Sequence, residues 1–415
     1  MQLTGRIAVL LVGSIAPACT DPTSPAAPAP AEIRALPRSL SAAEQEIVDA
    51  TRTFAFHLLS EVNEDWQSRN LFISPLSASM ALAMTMNGTA GATLDQLRQV
   101  LGLGTRPLDE INAGYQRLVA LLHALDPGVT FELANAIWYD RKFEPYIQPV
   151  FLQGVPPWFD AEVSALDFGT PESVAAINDW AKRHTHGRID RVIDDTGNFL
   201  VMVLANAIYF NGAWREQFDK AQTSPRPFTL QSGERVPVPT MYREGAMRLG
   251  RMSNALVVEL PYGGNAFAMT ILLPDVGVDV NGFTTSLTPA EWRHAIDNLL
   301  ETDSEIFLPK FTMEWADSLE YALQRMGMVD AFQSGVADFT PLSAERGRTL
   351  YVQFVRQNTF VDVNEEGTEA AAVTTVGVAD VSRKLPPTID RPFVFTIRER
   401  LSGTILFMGK LVDPR

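Results

Sequence analysis

Near the carboxyl end of the chain, residues 365–382 alternate with the period of a β-strand. One set of alternate positions holds only small or β-branched, uncharged residues: Thr368, Ala370, Ala372, Thr374, Val376 and Val378. A strand that turns this set inward and Glu369 outward can join a sheet without burying a charge, because side chains alternate between the two faces. Long loops are uncommon in compact domains unless they are functional. We therefore interpret the segment as an exposed loop with the sequence of an insertable strand; a flexible surface loop is the alternative.

The composition is that of a soluble globular protein with a sizeable core. Of the 415 residues, 46% are hydrophobic and 20% are charged. The formal net charge is −15. Nucleic acids are bound by clustered lysine and arginine side chains, so this charge argues against a nucleic-acid partner.

The only cysteine, Cys19, ends a segment with the layout of an export signal. Arg6 is followed by an apolar run at residues 7–12 and by small residues up to Ala18. This order predicts a signal peptide over residues 1–19, and hence an extracellular, periplasmic or cell-surface protein. The residues before Cys19 also resemble a bacterial lipoprotein cleavage site. A lipid on Cys19 and a plain signal with an incidental cysteine therefore stay open as alternatives. A lone cysteine excludes an internal disulfide bond and a cysteine-based zinc site.

Helix-like patterns cluster early in the chain and strand-like patterns later. Residues 20–41, rich in Pro and Ala, predict a semi-rigid tether. Ser41 and Glu44 form a capping box at the start of a first helix. Apolar runs that suit strands covered on both faces lie at residues 131–139, 201–210 and 268–273. These patterns predict one mixed α/β domain, of the α+β class, over residues 42–415.

The sequence carries no recognisable catalytic signature. None of its five histidines lies in an HExxH arrangement, and no GxSxG motif occurs. His184 and His186 could share a metal ion, but a solvated turn is the preferred interpretation because no carboxylate or thiol partner lies nearby in the sequence. We therefore predict that the chain is not an enzyme and uses no metal and no cofactor. A hydrolase with dispersed catalytic residues is the enzyme alternative.

A family resemblance becomes visible when several short motifs are taken in order. They are NLFISPLS at 70–77, INDW at 177–180, THGRI at 185–189, NAIYFNGAW at 206–214, ELPY at 259–262, LPKF at 308–311, ADF at 337–339 and DRPF at 390–393. Each motif alone is weak, but together, over residues 42–415, they resemble the serpin family of serine protease inhibitors in its bacterial type. The segment VNEEGTEAAAVT at 363–374 is similar to the hinge of inhibitory members.

The resemblance implies a fold of helices packed on large, mostly antiparallel sheets, with an exposed reactive-centre loop. It implies that a target protease cleaves this loop, forms an acyl-enzyme, and is trapped when the severed strand inserts into a sheet. Small side chains in the hinge suit rapid insertion, which must outrun hydrolysis. The hinge residues are Glu365, Glu366, Gly367, Thr368, Glu369, Ala370, Ala371, Ala372, Val373 and Thr374.

Two family-like spacings imply that the bond between Val381 and Ser382 is cut. Val381 is the seventeenth residue counted from Glu365, and it lies 11 residues before Pro392. A small aliphatic residue there favours an elastase-like or subtilisin-like serine protease as partner. Arg383 and Lys384 keep a trypsin-like target open, and a cysteine protease is a further alternative.

The family also places a polar cluster beneath the opening of the sheet. The resemblance implies Ser74, Ser77 and Asn206 in this cluster, and Trp214 at the top of the sheet where insertion begins. Where the family commonly has a histidine, this chain has Gln357. Glutamine can still donate and accept hydrogen bonds. We therefore expect a retained latch with a changed pH response and insertion rate.

The alternative function is a non-inhibitory serpin-fold binding or carrier protein. Small uncharged residues at the inward hinge positions favour the inhibitor, because a carrier has no need of an insertable strand. We expect a monomer that meets a membrane only through a lipid on Cys19.

Overall fold

In the computed structural model, which describes residues 31–197, 200–368 and 386–415, the first helix begins at the predicted capping box. The hydroxyl of Ser41 accepts a hydrogen bond from the amide of Glu44, and the Glu44 carboxylate accepts one from the amide of Ser41. This reciprocal pair satisfies two donors that a helix start leaves free. Ser74 caps the second helix, and Gly102 ends the third in the left-handed conformation.

The described helices frame the sheets from several sides. They are α1 (Ala42–Asp65), α2 (Pro75–Met86), α3 (Gly91–Leu101), α4 (Leu108–His123), α5 (Pro149–Gly154), α6 (Pro156–Phe159), α7 (Pro171–His184), α8 (Val280–Ser286), α9 (Pro289–Asp297) and α10 (Glu320–Arg325). Short 3-10 turns lie at Glu144–Tyr146, Lys220–Gln222 and Asp330–Phe332. No helix in the part of the chain that the structure describes is long and apolar enough to cross a membrane.

The described strands form two sheets. They are β1 (Leu71–Ile73), β2 (Val129–Asp140), β3 (Ala161–Leu166), β4 (Met202–Ala213), β5 (Ser224–Thr229), β6 (Arg235–Met252), β7 (Ala255–Tyr262), β8 (Phe267–Pro274), β9 (Leu300–Pro309), β10 (Phe311–Ser318), β11 (Arg356–Val363), β12 (Gly367–Thr368), β13 (Phe393–Glu399) and β14 (Ile405–Leu411). One sheet has the order β1-β14-β13-β8-β7-β6-β5, with β9 paired to β6. The other has the order β10-β11-β12-β4-β2-β3, and only its β2–β3 pair is parallel. The predicted α+β class with mostly antiparallel sheets is confirmed.

The core lies between the helices and the eight-stranded sheet. Every residue of β8, β13 and β14 is buried, as expected for strands covered on both faces. Phe72 stacks between the rings of Phe395 and Phe407, at centroid distances of 5.6 and 5.0 Å. Burying one phenylalanine side chain completely contributes about 1.5–3 kcal/mol to the stability of the fold. Through Phe72, β1 joins α2 to this layer.

The domain begins earlier than the composition suggests. The last part of the predicted tether, from Ala31 onward, lies against the globular body. The amide of Ile33 donates to the carbonyl of Gly264 at 2.7 Å, and the side chains of Ile33, Leu36 and Leu40 pack against the core. These three apolar residues explain the difference, because they can bury surface that the surrounding prolines and alanines cannot.

Candidate functional site

The six-stranded sheet is interrupted between β11 and β4. On its outer side β11 pairs with β10 along its whole length, and β4 pairs with β2 from Met202 to Gly212. Between β11 and β4, the described residues place only the two-residue strand β12. We call the remaining space between β11 and β4 the sheet gap. The predicted hinge therefore begins inside the sheet, at one end of this gap.

Glu365 anchors the start of the hinge by its side chain and by its backbone. Its carboxylate accepts hydrogen bonds from the Thr223 hydroxyl at 2.7 Å and pairs with the Lys310 ammonium at 2.8 Å. Burial opposes ionisation of this carboxyl, but the hydrogen bonds from Lys310 and Thr223 prevail and hold the pKa of Glu365 below its ordinary value. The amide of Phe218 donates to the Glu365 carbonyl at 3.0 Å.

Glu366 continues this attachment on the outer surface. Its carboxylate pairs with the ammonium of Lys220, and its carbonyl accepts a hydrogen bond from the amide of Trp214 at 2.9 Å. The indole nitrogen of Trp214 donates to the carbonyl of Asn364 at 2.8 Å. Three successive hinge-side residues, Asn364 to Glu366, are thus held by side chains or amides that follow β4.

Gly367 is required by the closeness of two backbones. A Cβ at this position would lie 2.2 Å from the carbonyl oxygen of Gly212. Thr368 follows with its side chain turned into the sheet and only 3% exposed, opposite Gly212 on one side and Val363 on the other. Its hydroxyl lies 2.6 Å from the hydroxyl of Tyr262. The inward orientation predicted for position 368 is therefore present.

The polar cluster beneath the sheet is only partly assembled as predicted. Gln357 accepts a hydrogen bond from the Ser74 amide and donates to the Ser74 carbonyl, both at 2.8 Å. The Ser74 hydroxyl accepts from the amide of Ser77 and donates to the carbonyl of Leu406. Ser74, Ser77 and Gln357 thus form one network between β11 and the start of α2.

Asn206 does not join this network directly. Its amide donates to the side-chain oxygen of Asn135 on β2 at 2.7 Å, and its own side-chain oxygen has no hydrogen-bond partner among the described residues. An unpaired buried carbonyl is costly, and such groups often mark functional regions.

A cavity of about 440 Å³ extends the sheet gap beyond β12. Its walls include Ala205 and Asn206 of β4, and Gln357 and Asn358 of β11. The lining is completed by the side of α2 that carries small residues, by the side of α7 that carries Ile177 and Trp180, and by residues 349–356. The space is bounded mainly by apolar side chains and lies between the two strands that an inserted strand would separate.

Several predicted site residues lie outside the described residues. They are Cys19, Glu369, Ala370, Ala371, Ala372, Val373, Thr374, Val381, Ser382, Arg383 and Lys384. The proposed reactive bond and the possible lipid site therefore stay predictions. Sequence reasoning missed Thr223 and Lys220, which hold the hinge from distant parts of the chain. Tyr262 was visible within the ELPY motif, but nothing there indicated that it meets Thr368. Lys310 was visible within the LPKF motif, but nothing there indicated its partner.

Comparison with known proteins agrees with this architecture. The family model described as "Serpin (serine protease inhibitor)" matches residues 49–414. The chain belongs to the serpin family.

Related serpins match almost from end to end. The chain is 35% identical to human Serpin B9 over 382 residues, which cover 89% of this chain and all of that protein. It is 32% identical to the human leukocyte elastase inhibitor over 388 residues, again covering 89% of this chain and all of the relative. The family model is described as a serine protease inhibitor and the leukocyte elastase inhibitor is named as an inhibitor, so this serpin is a protease inhibitor and not an enzyme.

Solved serpin structures share the fold. Tengpin, a thermophilic serpin in its native state, superposes with a TM-score of 0.79 at 30% identity, covering 92% of this chain and 97% of that one. Human thyroxine-binding globulin, in a structure with bound thyroxine, superposes with a TM-score of 0.80 at 27% identity, covering 90% and 100%.

The two histidines considered as metal ligands serve separate contacts in this serpin. His184 lies 3.0 Å from Glu162 on β3, and His186 lies 2.9 Å from Glu132 on β2. Among the described residues, no three His, Cys, Asp or Glu side chains come together as a metal site. The carboxylate partners that the sequence did not reveal join the end of α7 to the sheet, one histidine to each strand.

Proposed function

We propose that this serpin inhibits a serine endopeptidase by a single cleavage between Val381 and Ser382, followed by insertion of the severed strand into the sheet gap. The observation that carries the proposal is β12: Gly367 and Thr368 already lie between β11 and β4. Insertion would therefore extend an existing strand and would not have to start a new one.

The covalent step is that of an ordinary acyl transfer. The serine hydroxyl of the protease attacks the Val381 carbonyl carbon and loses its proton to the protease's own base. The peptide bond to Ser382 breaks, the Ser382 amine leaves with a proton, and Val381 stays esterified to the protease. Hydrolysis of this ester would release the protease, so trapping requires insertion to be faster than water attack.

The register of β12 indicates where each inserted residue would lie. Thr368 faces Gly212 and Val363, and in an antiparallel ladder each further residue steps back by one position on both neighbours. Thr374 would then lie opposite Asn206 and Gln357. Directly opposite side chains share a face, so Thr374 would bring a hydroxyl donor to the unpaired side-chain oxygen of Asn206.

The same register supports the proposed cut. The inward positions up to Val378 are uncharged, and they would enter the apolar cavity. The first inward charge would be Asp380, opposite Leu200 and Tyr351, and Tyr351 is 46% exposed. A strand that ends at Val381 would therefore keep its one inward carboxylate at the solvent end of the sheet.

Insertion would stabilise the cleaved molecule. Each new main-chain hydrogen bond contributes about 0.5–1.5 kcal/mol net, and apolar side chains gain burial in the cavity. The native form is then a kinetically trapped state. Cleavage by a protease that is not trapped should accordingly raise the melting temperature. A non-inhibitory carrier would show no such gain, which distinguishes that alternative.

The valine before the cut favours a protease with a shallow apolar specificity pocket, elastase-like or subtilisin-like. The name of the leukocyte elastase inhibitor supports the same class. A panel of elastase-like, subtilisin-like, trypsin-like and cysteine proteases should give complexes that survive denaturant with at least one member. Mass spectrometry should find a carboxyl-terminal fragment that starts at Ser382. A fragment that starts at Lys384 would move the cut to Arg383 and the target to a trypsin-like protease.

We also propose export of this serpin through residues 1–19, with a lipid on Cys19 as the specific form. The charged start, the apolar run and the small residues before the cysteine support it. Metabolic labelling with a radioactive fatty acid tests it in a bacterial host. Label on the wild type and none on Cys19→Ser would support lipidation. Export of the wild type without label would indicate a plain signal peptide with an incidental cysteine.

A further inference from the structure

The segment that follows α7 lies over the outer face of the six-stranded sheet. The apolar cluster between α7 and the sheet uses Trp138 of β2 and Val203 of β4, whereas the main core uses their neighbours Ile137 and Leu204. Neighbouring residues of a strand point to opposite faces, so α7 and α2 cover opposite sides of the sheet. We call residues 184–195 the strap. Four of its residues line the cavity that extends the sheet gap: Thr185, Ile189, Val192 and Ile193.

On one side of the gap the strap is attached through two histidines. His184 lies 3.0 Å from Glu162 of β3, and His186 lies 2.9 Å from Glu132 of β2. His186 keeps this contact with a left-handed backbone, at a φ of 51°, which few non-glycine residues adopt. The strap is therefore tied to β2 and β3, and through the pairing of β2 it is tied to β4.

On the other side of the gap the strap is attached to β11. The Arg188 guanidinium lies over the ring of Phe360 at 5.1 Å, and the carboxylate of Asp194 pairs with Arg356 at 3.3 Å. Hydrogen bonds from Arg191 and Arg356 hold the pKa of Asp194 below its ordinary value, so this carboxylate stays charged near neutral pH. A strand that parts β4 from β11 passes beneath the strap and has to break its attachment on one side.

The two attachments respond differently to pH. A neutral imidazole can donate one hydrogen bond to a carboxylate, and a protonated imidazole adds an ion pair. Histidine gains this charge as the pH falls through about 6.5. The carboxylates that face the two rings are Glu162 and Glu132. Tyr209 of β4 is the further titratable side chain in contact among the described residues, with its ring 4.3 Å from that of His186, and the positive charges of Lys182 and Arg183 lie on α7 itself.

We propose that His184 and His186 make the strap a pH-dependent restraint on strand insertion, tighter in acid than at neutral pH. The inference rests on the proposed function, because it concerns the opening that a severed strand would need. The polar network at Gln357 and Ser74 contains no group that changes its charge in this range. The pH response of the sheet opening therefore enters through the strap.

The size of the effect follows from the exposure of the two pairs. The four side chains are 33–57% exposed. Each exposed ion pair shifts an equilibrium by about 1.4- to 5-fold, so the two together shift it by about 2- to 25-fold. In acid, insertion slows by this factor relative to a strap without histidines, and more of the inhibitor is cleaved without forming a complex.

Amide hydrogen exchange of the full chain tests the restraint without a protease. The Gly187 amide donates to the Lys182 carbonyl at 2.8 Å, so its protection reports whether the strap is held. After correction for the pH dependence of the chemical step, this protection should be about 2- to 25-fold greater at pH 5.5 than at pH 8. The variant with both His184→Gln and His186→Gln should show equal protection at both pH values. His123→Gln, which changes an exposed histidine in the last turn of α4, is the matched control.

The inhibition assay compares variants at one pH, because the protease itself responds to pH. At pH 5.5 the double histidine variant should give less cleaved, uncomplexed chain than the wild type, and at pH 8 the two should agree. Equal partition at pH 5.5, or protection of Gly187 that does not rise in acid, would overturn the restraint. Failure of the wild type to form complexes with any protease would count against the proposed function, whereas absence of the exchange shift would count against the strap alone.

Discussion

Replacing Gly367 with alanine should disrupt the entrance of the sheet gap. The new Cβ would lie 2.2 Å from the Gly212 carbonyl oxygen and 2.8 Å from the Ala213 Cα. Both are backbone atoms of β4, which is paired with β2 over almost its whole length and cannot give way as a side chain can. Overpacking of this kind costs about 1–3 kcal/mol. That cost lowers the ratio of molecules with Gly367 and Thr368 in the sheet to molecules with these residues outside it by about fivefold to 150-fold.

The expected result is a weaker inhibitor with a normal fold. A fixed amount of a protease that the wild type traps is titrated with Gly367→Ala, and the products are separated under denaturing conditions. More of the variant should appear as cleaved, uncomplexed chain. Insertion then starts with the hinge outside the sheet, while hydrolysis of the acyl-enzyme proceeds at an unchanged rate. Gly154→Ala is the matched control, since a Cβ at Gly154 meets nothing within 4 Å.

Wild-type stoichiometry for Gly367→Ala would refute this reasoning. It would mean either that β4 moves aside at little cost, or that the position of Gly367 in the sheet does not limit the rate of insertion. A circular dichroism spectrum and a melting temperature close to those of the wild type are needed first. These two measurements show that any lost inhibition does not come from misfolding. They are needed because Gly154 is exposed, so Gly154→Ala does not control for a fold disturbed at a buried site.

Three further predictions concern other parts of the site. Val381→Arg should shift complex formation from elastase-like to trypsin-like proteases, as measured with the same panel; unchanged preference would argue against the assigned bond. Gln357→Leu leaves the buried amide of Ser74 without its partner, while the Ser74 carbonyl keeps the hydrogen bond from the Ala78 amide at 3.1 Å. It should lower stability by about 1–3 kcal/mol in urea unfolding, whereas Gln357→Glu, which can still accept from the Ser74 amide, should lose less. The pKa of Glu365 is lowered from 4.5, so its pairing with Lys310 stabilises the fold fully above that pH, and this stabilisation is lost as the pH falls through the lowered value. The difference in melting temperature between wild type and Glu365→Gln should therefore narrow as the pH falls below 4.5 and through the lowered pKa of Glu365; a constant difference would contradict the pairing.

Local signals predicted much of the fold and the inward position of Thr368. The capping box at Ser41, the cap at Ser74 and the terminating Gly102 depend on neighbours a few residues away, so they can be inferred from sequence alone. The inward position of Thr368 followed from the two-residue period of a strand. Each of these inferences needed only the chain's own backbone geometry.

Contacts between distant residues could not be predicted in this way. Thr368 meets Tyr262 across 106 positions, and Glu365 meets Thr223 across 142. The residues around Thr368 and Glu365 contain no feature that indicates either partner, because both pairs form only when β4, β7 and β11 come together. Asn206 shows the same limit: the resemblance placed it with Ser74, but the strand register turns its amide to Asn135.

The position of β14 bears on how the chain is made and how it survives cleavage. This last strand lies between β1 and β13, so the eight-stranded sheet joins the beginning of the domain to its end. During synthesis the sheet cannot close until β14 has left the ribosome, and such distant pairing makes folding slow. After a cut at Val381, β13 and β14 would belong to a separate peptide, yet every residue of both is buried. The two pieces should therefore behave as one folded body, a tight non-covalent heterodimer that only denaturant takes apart.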